Sequence, residues 1–438
     1  MKAAFYTFGC KVNQYETQVL SQFFEADGFL VVPFSEEADV YLINSCTVTS
    51  SGDKKTKQLV RQTKRRHPDA IVVLTGCFPQ AFPDQAEKIA EADLVAGAKD
   101  RAALLSGVKQ VLSGKKRVVS LSPHEAGEPF EPMRASRFDE HTRAFVKIED
   151  GCDRWCSYCI IPKARGPVRS KPIKEIKAEL SMLAQNGYKE VVLVGINLSS
   201  YGKETGSFRL AEAVEAACAI EGIERVRLGS LEPELLTDED LRRMAAQEKF
   251  CPQFHLSLQS GCDRTLKQMN RHYTAAEYKA LVNRIRAQFE NPSITTDIMV
   301  GFAGETDEDF SESVRFAEEI GFAKVHVFAY SVREGTRAAK MSGHLTQSVK
   351  DVRSREMIAR TDALHEAFLR TQLNRVQSVL FETQQDGLYT GYTPNYTRVF
   401  APCSRDICGE ILPVRLLCVK DGACVGEIVS DVSGYQGK

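Results

Sequence analysis

Apolar and polar positions along the chain fall into two alternating textures. Three early runs, AAFYTFGC, DVYLINSC and AIVVLTGC, are rich in β-branched and aromatic residues. Each closes on a small residue and then a cysteine, at Cys10, Cys46 and Cys77. A stretch with helical spacing follows each run, at about 13–27, 52–67 and 83–92. Strands alternating with helices predict a parallel sheet with helices on its faces. Its strands run the same way, so the three cysteines are predicted just beyond carboxyl ends, where such sheets place ligands.

The alternation returns after residue 142. RAFVKIEDG, EVVLVG, RVRLGS, QFHLSLQ, SITTDIMVG and AKVHVFAY read as strands, with helical spacing near 173–186, 210–219, 238–247, 275–289 and 308–320. That makes six β/α units in about 190 residues, against about 250 for an eight-unit barrel, and predicts an open six-unit barrel with its active site at the carboxyl ends. Between the two regions, SPHEAGEPFEPMRASRFDEHT lacks periodicity and is rich in Pro and charge, which predicts a linker. A helix ending near Leu373 leads into short β-rich runs with Gly, Pro and Asn turns, predicting a small all-β barrel. The expected division is 1–121, linker 122–142, 143–373 and 374–438.

Composition changes this picture little. Of 438 residues, 26% are charged and 43% hydrophobic, and the net charge of −1 gives no overall pull toward nucleic acid. No apolar run reaches about 18 residues, and the N-terminus reads as a strand rather than a signal peptide, so cytoplasm is expected. Thirteen cysteines in such a compartment point to metal or catalysis rather than disulfides. From Lys54 to His67 there are seven Lys or Arg and no acid, which is either a solvated helix face or a phosphate-binding surface.

The chemistry concentrates in EDGCDRWCSYCIIPKARG at 149–166, where Cys152, Cys156 and Cys159 are spaced C-x3-C-x2-C. Zinc usually takes four ligands from paired C-x2-C halves, and no matching pair follows: Cys218, Cys251 and Cys262 are scattered. The spacing of Cys403, Cys408, Cys418 and Cys424 is also irregular for zinc. Taken one by one, Cys10, Cys46 and Cys77 are ordinary core cysteines. Taken together at three strand ends they suggest a shared centre, either zinc with a further ligand or an iron–sulfur cluster held by three thiolates.

The loop resembles the radical S-adenosylmethionine (SAM) signature, and the whole chain resembles the methylthiotransferases within that group. FGCKVNQYE, NSCTVT, TGCFPQ, GINLSSYG, LGSLEP, LSLQSGCDRTLKQMNRHYT and TTDIMVGFAGET carry the resemblance. It implies one 4Fe–4S cluster on Cys152, Cys156 and Cys159, with SAM on its open iron and cleaved to a 5′-deoxyadenosyl radical. It implies a second, auxiliary 4Fe–4S cluster on Cys10, Cys46 and Cys77. SAM would serve both as methyl donor to sulfur and as radical source. The expected partners are a tRNA anticodon stem-loop and a low-potential donor such as flavodoxin or ferredoxin, with no membrane. The C-terminal barrel resembles a TRAM domain, in which Tyr389, Tyr392, Tyr396, Arg398 and Phe400 are candidates for base stacking and phosphate contact.

Three branches are open to such a chain: isopentenyladenosine in tRNA, threonylcarbamoyladenosine in tRNA, and an aspartate of a ribosomal protein. GCKVNQYE and CTVT are similar to the second. A non-catalytic iron–sulfur protein that binds RNA or senses redox state is the rival of another class. Threonylcarbamoyl carries a carboxylate, which asks for Arg or Lys. The substrate candidates are Lys163, Arg165, Arg169, Arg333, Arg337 and Arg398. The candidate SAM-facing residues are Tyr158, Gly195, Asn197, Ser230, Glu232, Gln259 and Asp297, most of them at predicted strand ends.

Overall fold

The computed structural model describes residues 1–138 and 142–429, so Asp139, Glu140 and His141 of the segment read as a linker, and 430–438 of the C-terminal region, lie outside it. The first domain is a parallel sheet of β1 (Lys2–Thr7), β2 (Leu30–Val32), β3 (Val40–Ser45), β4 (Ile71–Gly76), β5 (Leu94–Ala96) and β6 (Val118–Ser120), in the order 2-1-3-4-5-6. β3 and β4 are buried along their whole length, as continuous apolar runs in a two-sided parallel sheet should be. Helices α1 (Lys11–Ala26) and α2 (Ser50–Arg66) follow β1 and β3; Thr49 caps α2 by accepting from Gly52 N at 3.1 Å.

The central domain has the expected open barrel. Strands Arg143–Lys147, Glu190–Val194 and Arg225–Leu228 pair in parallel, as do Ser230–Leu231, Gln253–Leu256, Ser293–Val300 and Lys324–Ala329. The third unit's strand is divided at Gly229 and passes from one sheet to the other. The first and last strands do not pair among the described residues, which leaves the barrel open along one side. The end barrel, 376–428, is closed, with strand order 1-2-3-5-4 and one parallel pair between its third and fifth strands, the arrangement of an OB-like fold. No helix among the described residues is long and apolar enough to cross a membrane.

The domains are not loosely strung. Val12, Tyr15 and Val19 of α1 lie in the same apolar core as the central barrel, together with Met133, Ala135 and Phe138 of the connecting segment. That segment has no helix or strand, yet it is pinned on both sides. Tyr15 donates to Met133 O at 2.8 Å and Ala135 N donates to Glu179 Oε1 at 2.7 Å. Ile160 and Ala164, just after the cysteine loop, pack in turn into the first domain's core beside Cys77 and Phe78.

Candidate active site

β1, β3 and β4 are neighbours, and their register brings Thr7 beside Asn44 and Ser45 beside Gly76. Cys10, Cys46 and Cys77 therefore leave three adjacent strand ends, at the place where the strand order reverses. Two glycines make the approach close enough. Gly9, at φ +107°, would put a Cβ 2.7 Å from Cys46 Cβ, and Gly76, at φ +98°, would put one 2.4 Å from Asn44 Oδ1. Asn13 ties two ends together by donating to Phe8 O and Ser45 O at 2.8 and 3.1 Å.

Cys152, Cys156 and Cys159 share one loop that lies outside helix and strand. Gly151, at φ +91°, is required because a Cβ would overlap Pro167 O. Ser157 fixes the loop to the barrel's carboxyl-end segments: its N donates to Met269 O and its hydroxyl to Gln268 O, both at 2.8 Å. Trp155 at the tip is 62% exposed.

One buried arginine, just after the cysteine loop, reaches the first domain's triad. Arg165 donates from Nε to Cys77 Sγ at 3.1 Å, from Nη1 to Glu16 at 2.5 Å and from Nη2 to Asn13 Oδ1 at 2.6 Å. Arg101, Lys147 and Asp150 complete a charge network closed to solvent. Burial works to raise the Glu16 carboxyl, but Arg101, Arg165 and Lys147 hold it at about 2. Glu149 has no such partner. Burial pushes its carboxyl well above the usual range, Asn197 N donates to its Oε2 at 2.7 Å, and its Oε1 lacks a partner among the described residues. At the second triad, Arg271 donates to Cys156 Sγ at 3.3 Å while a two-pronged pair with Glu232 orients it. Burial pushes the Cys77 and Cys159 thiols up to about 12.

No three of these side chains among the described residues converge as a chelate for one ion. Of the four C-terminal cysteines, Cys424 is buried in the end barrel's core while Cys408 and Cys418 are exposed. A 4Fe–4S cluster with one open iron takes one thiolate at each of three irons, which fits the donor set of three cysteines at either site.

The other sequence candidates divide. Arg165, Arg169 and Arg333 are buried and engaged, which removes them as substrate ligands. Arg169 donates to Arg165 O and Pro167 O at 3.0 Å, and Arg333 pairs with Asp53 at 2.6 Å. Their partners offset their charge, and a carboxylate would have to displace them. Lys163 and Arg337 are exposed beside the cysteine loop; Arg337 donates to Trp155 O at 2.9 Å. Among the SAM-facing candidates, Tyr158 packs against Phe302 and is half-buried. Gly195 is needed because Glu149 fills its Cβ position, and Asn197 is buried, donating to Ser200 Oγ at 2.7 Å. Gln259, at φ +71°, bridges to the neighbouring strand through Asp297 O and Met299 N. Asp297 lies 3.3 Å from His255 Nε2, and Ser230 is exposed to the barrel's interior.

The aromatic group of the end barrel is largely a docking surface. Tyr392 stacks on Tyr396 at 4.6 Å, Arg143 of the central barrel lies 5.1 Å from both rings, and Arg227 lies 4.7 Å from Tyr396. Tyr389 is in the core; Arg398, over Phe400 at 4.8 Å, stays exposed. Sequence reasoning missed Glu16, Glu149 and Arg271. Arg271 stood inside the family-like LKQMNRHYT.

The Radical SAM superfamily signature matches residues 146–317, and that of the Uncharacterized protein family UPF0004 matches residues 2–97. The threonylcarbamoyladenosine tRNA methylthiotransferase MtaB of Bacillus subtilis is 36% identical over 94% of this chain and 93% of its own length. Its namesake in Aquifex aeolicus is 41% identical over 81% and 86%. A tRNA-2-methylthio-N(6)-dimethylallyladenosine synthase of Pelotomaculum thermopropionicum is 34% identical over 93% of each. Among solved structures, the radical SAM methyltransferase TsrM of Kitasatospora setae, with cobalamin and a [4Fe-4S] cluster bound, superposes with a TM-score of 0.57 over 89% of this chain and 77% of its own, at 12% identity. That likeness is one of fold.

Proposed function

Because the chain belongs to the methylthiotransferase family of radical SAM enzymes, we propose that it converts N6-threonylcarbamoyladenosine next to the anticodon of tRNA to its 2-methylthio derivative. The observation that carries the reading is the presence of two three-cysteine sets, in two packed domains, with the buried Arg165 that follows the loop set reaching Cys77 of the other. Cys152, Cys156 and Cys159 would hold the cluster that binds SAM, and Cys10, Cys46 and Cys77 the auxiliary one. When bound, the two 4Fe–4S clusters and SAM supply the radical that removes hydrogen from adenine C2 and the methylated sulfur that replaces it.

The chain's own contribution is position, charge and shielding. Arg165 and Arg271 each aim an N–H at a cysteine sulfur, which favours its anionic, metal-bound form. Glu232 and Glu16 hold those guanidiniums in place. C2 lies on the minor-groove edge, so the target base must leave its stack to present it. Lys54, Lys55, Arg65 and Arg66, exposed along α2, offer phosphate contacts that the nearly neutral molecule otherwise lacks. The partners are then tRNA and a flavodoxin- or ferredoxin-like donor in the cytoplasm.

The test is nucleoside analysis of tRNA from a strain lacking the protein. Methylthio-threonylcarbamoyladenosine should vanish and methylthio-isopentenyladenosine should remain. The opposite loss refutes the substrate, and loss of neither refutes the tRNA reading.

A further inference from the structure

Within the open barrel is a chamber of about 420 Å3. Strands of the central barrel, the long helix Gln347–Thr371 and the end barrel's 392–398 turn enclose it. Its lining carries three cations, Lys11, Lys324 and Arg398, and three histidines; among the described residues it carries no Asp or Glu. Such a lining favours an anion. Lys324 already faces Asp362 at 3.6 Å, and Asp297 nearby is taken up by His255. Lys11 makes no ion pair among the described residues, and it is the one lining residue supplied by the first domain.

Its position is fixed. Lys11 is the first residue of α1, whose Val12 and Tyr15 are locked into the central barrel's core. It directly follows Cys10, and neighbouring Cα atoms lie about 3.8 Å apart. The chamber and the auxiliary triad are therefore joined through the Cys10–Lys11 peptide.

Building on the function proposed above, we propose that Lys11 is the specificity-determining residue: its ammonium binds the carboxylate of the threonylcarbamoyl arm in this chamber, with Arg398 as a second, weaker cation. Adenine C2 is thereby held at the auxiliary triad. A charge-assisted contact of this kind is worth about 10- to 100-fold in affinity.

The experiment is equilibrium binding of synthetic anticodon stem-loops to the cluster-loaded protein. Three stem-loops are compared, carrying threonylcarbamoyladenosine, its uncharged methyl ester, or plain adenosine. Wild type should prefer the acid over the ester by about 10- to 100-fold. Lys11→Gln should reduce that preference to about twofold or less without changing ester binding, Lys11→Arg should keep most of it, and Arg398→Gln should lose only a few-fold. Iron content and visible absorption check that each variant is loaded. A Lys11→Gln protein that keeps the full preference overturns the assignment and leaves the proposed reaction standing. Wild type that treats acid and ester alike overturns it without any variant. Wild type that methylthiolates only an isopentenyl stem-loop overturns the reaction itself.

Discussion

The two cysteine triads have the same number of thiols and are built in different ways. Cys152, Cys156 and Cys159 come from one loop, shaped by Gly151 and pinned through Ser157. Cys10, Cys46 and Cys77 come from three strands, and only the order of the sheet makes them neighbours. A loop triad keeps its spacing through local turns. A sheet triad keeps it only while the whole domain, including the Gly9 and Gly76 approaches, stays packed. The first is a local device that any fold can carry; the second is a property of one topology.

The largest test separates the two by what each loses. Cys152→Ala should abolish SAM cleavage and product together, whereas Cys77→Ala should still yield 5′-deoxyadenosine but no methylthio nucleoside, each with about half the wild-type iron. Chromatography of both products with iron analysis checks it, and a Cys77→Ala protein that still forms product would remove the sheet triad from the chemistry. Next in size is Arg165, which links the barrel to the sheet triad. Arg165→Met removes one of the three cations that hold the buried Glu16 and should cost about 1–3 kcal/mol in denaturant unfolding of the metal-free protein. An unchanged midpoint would mean that the network does not hold the domains together.

The acid limb of stability sharpens the same point. The folded-state pKa of Glu16 is held at about 2 against an ordinary 4.5. Its contribution is thus fully present above pH 4.5 and is lost as pH falls toward 2, a swing of about 3 kcal/mol. Glu16→Gln should flatten that limb in pH-dependent melting. Glu149 has the opposite sign: its folded-state pKa is raised, so its stabilisation is lost as pH rises above the ordinary carboxylate value, and Glu149→Gln should relieve that loss. The smallest effect belongs far from either triad. Tyr396→Ala should loosen the end barrel's seat on Arg143 and Arg227 by about 1–2 kcal/mol, read as a lowered melting temperature with both clusters retained.

How much of this was legible in the sequence follows the same division. The loop triad could be read from eight letters. The sheet triad was legible because three apolar runs end alike, on a small residue and a cysteine, and because parallel strands share one direction. The barrel's six units showed as alternating periodicities. What stayed hidden were pairings across distance. Arg165, Arg169 and Arg333 read as free cations because Glu16, Asp150 and Asp53 stand far away in the chain or in another domain. Tyr392 and Tyr396 read as bases' stacking partners because nothing in the sequence announces that Arg143 and Arg227 will occupy their faces. Glu149 looked like one more polar loop residue, since burial leaves no mark on a single letter.

The charge network also bears on how such chains can be recombined. The first and central domains have separate folds, and separate signatures match them, yet Glu16 and Arg101 belong to one while Lys147, Asp150 and Arg165 belong to the other. A hybrid that takes its first domain from one homologue and its barrel from another inherits half of a buried charge balance. Such hybrids should fold only when the two halves of that balance travel together, so the unit that can be exchanged here is larger than the domain.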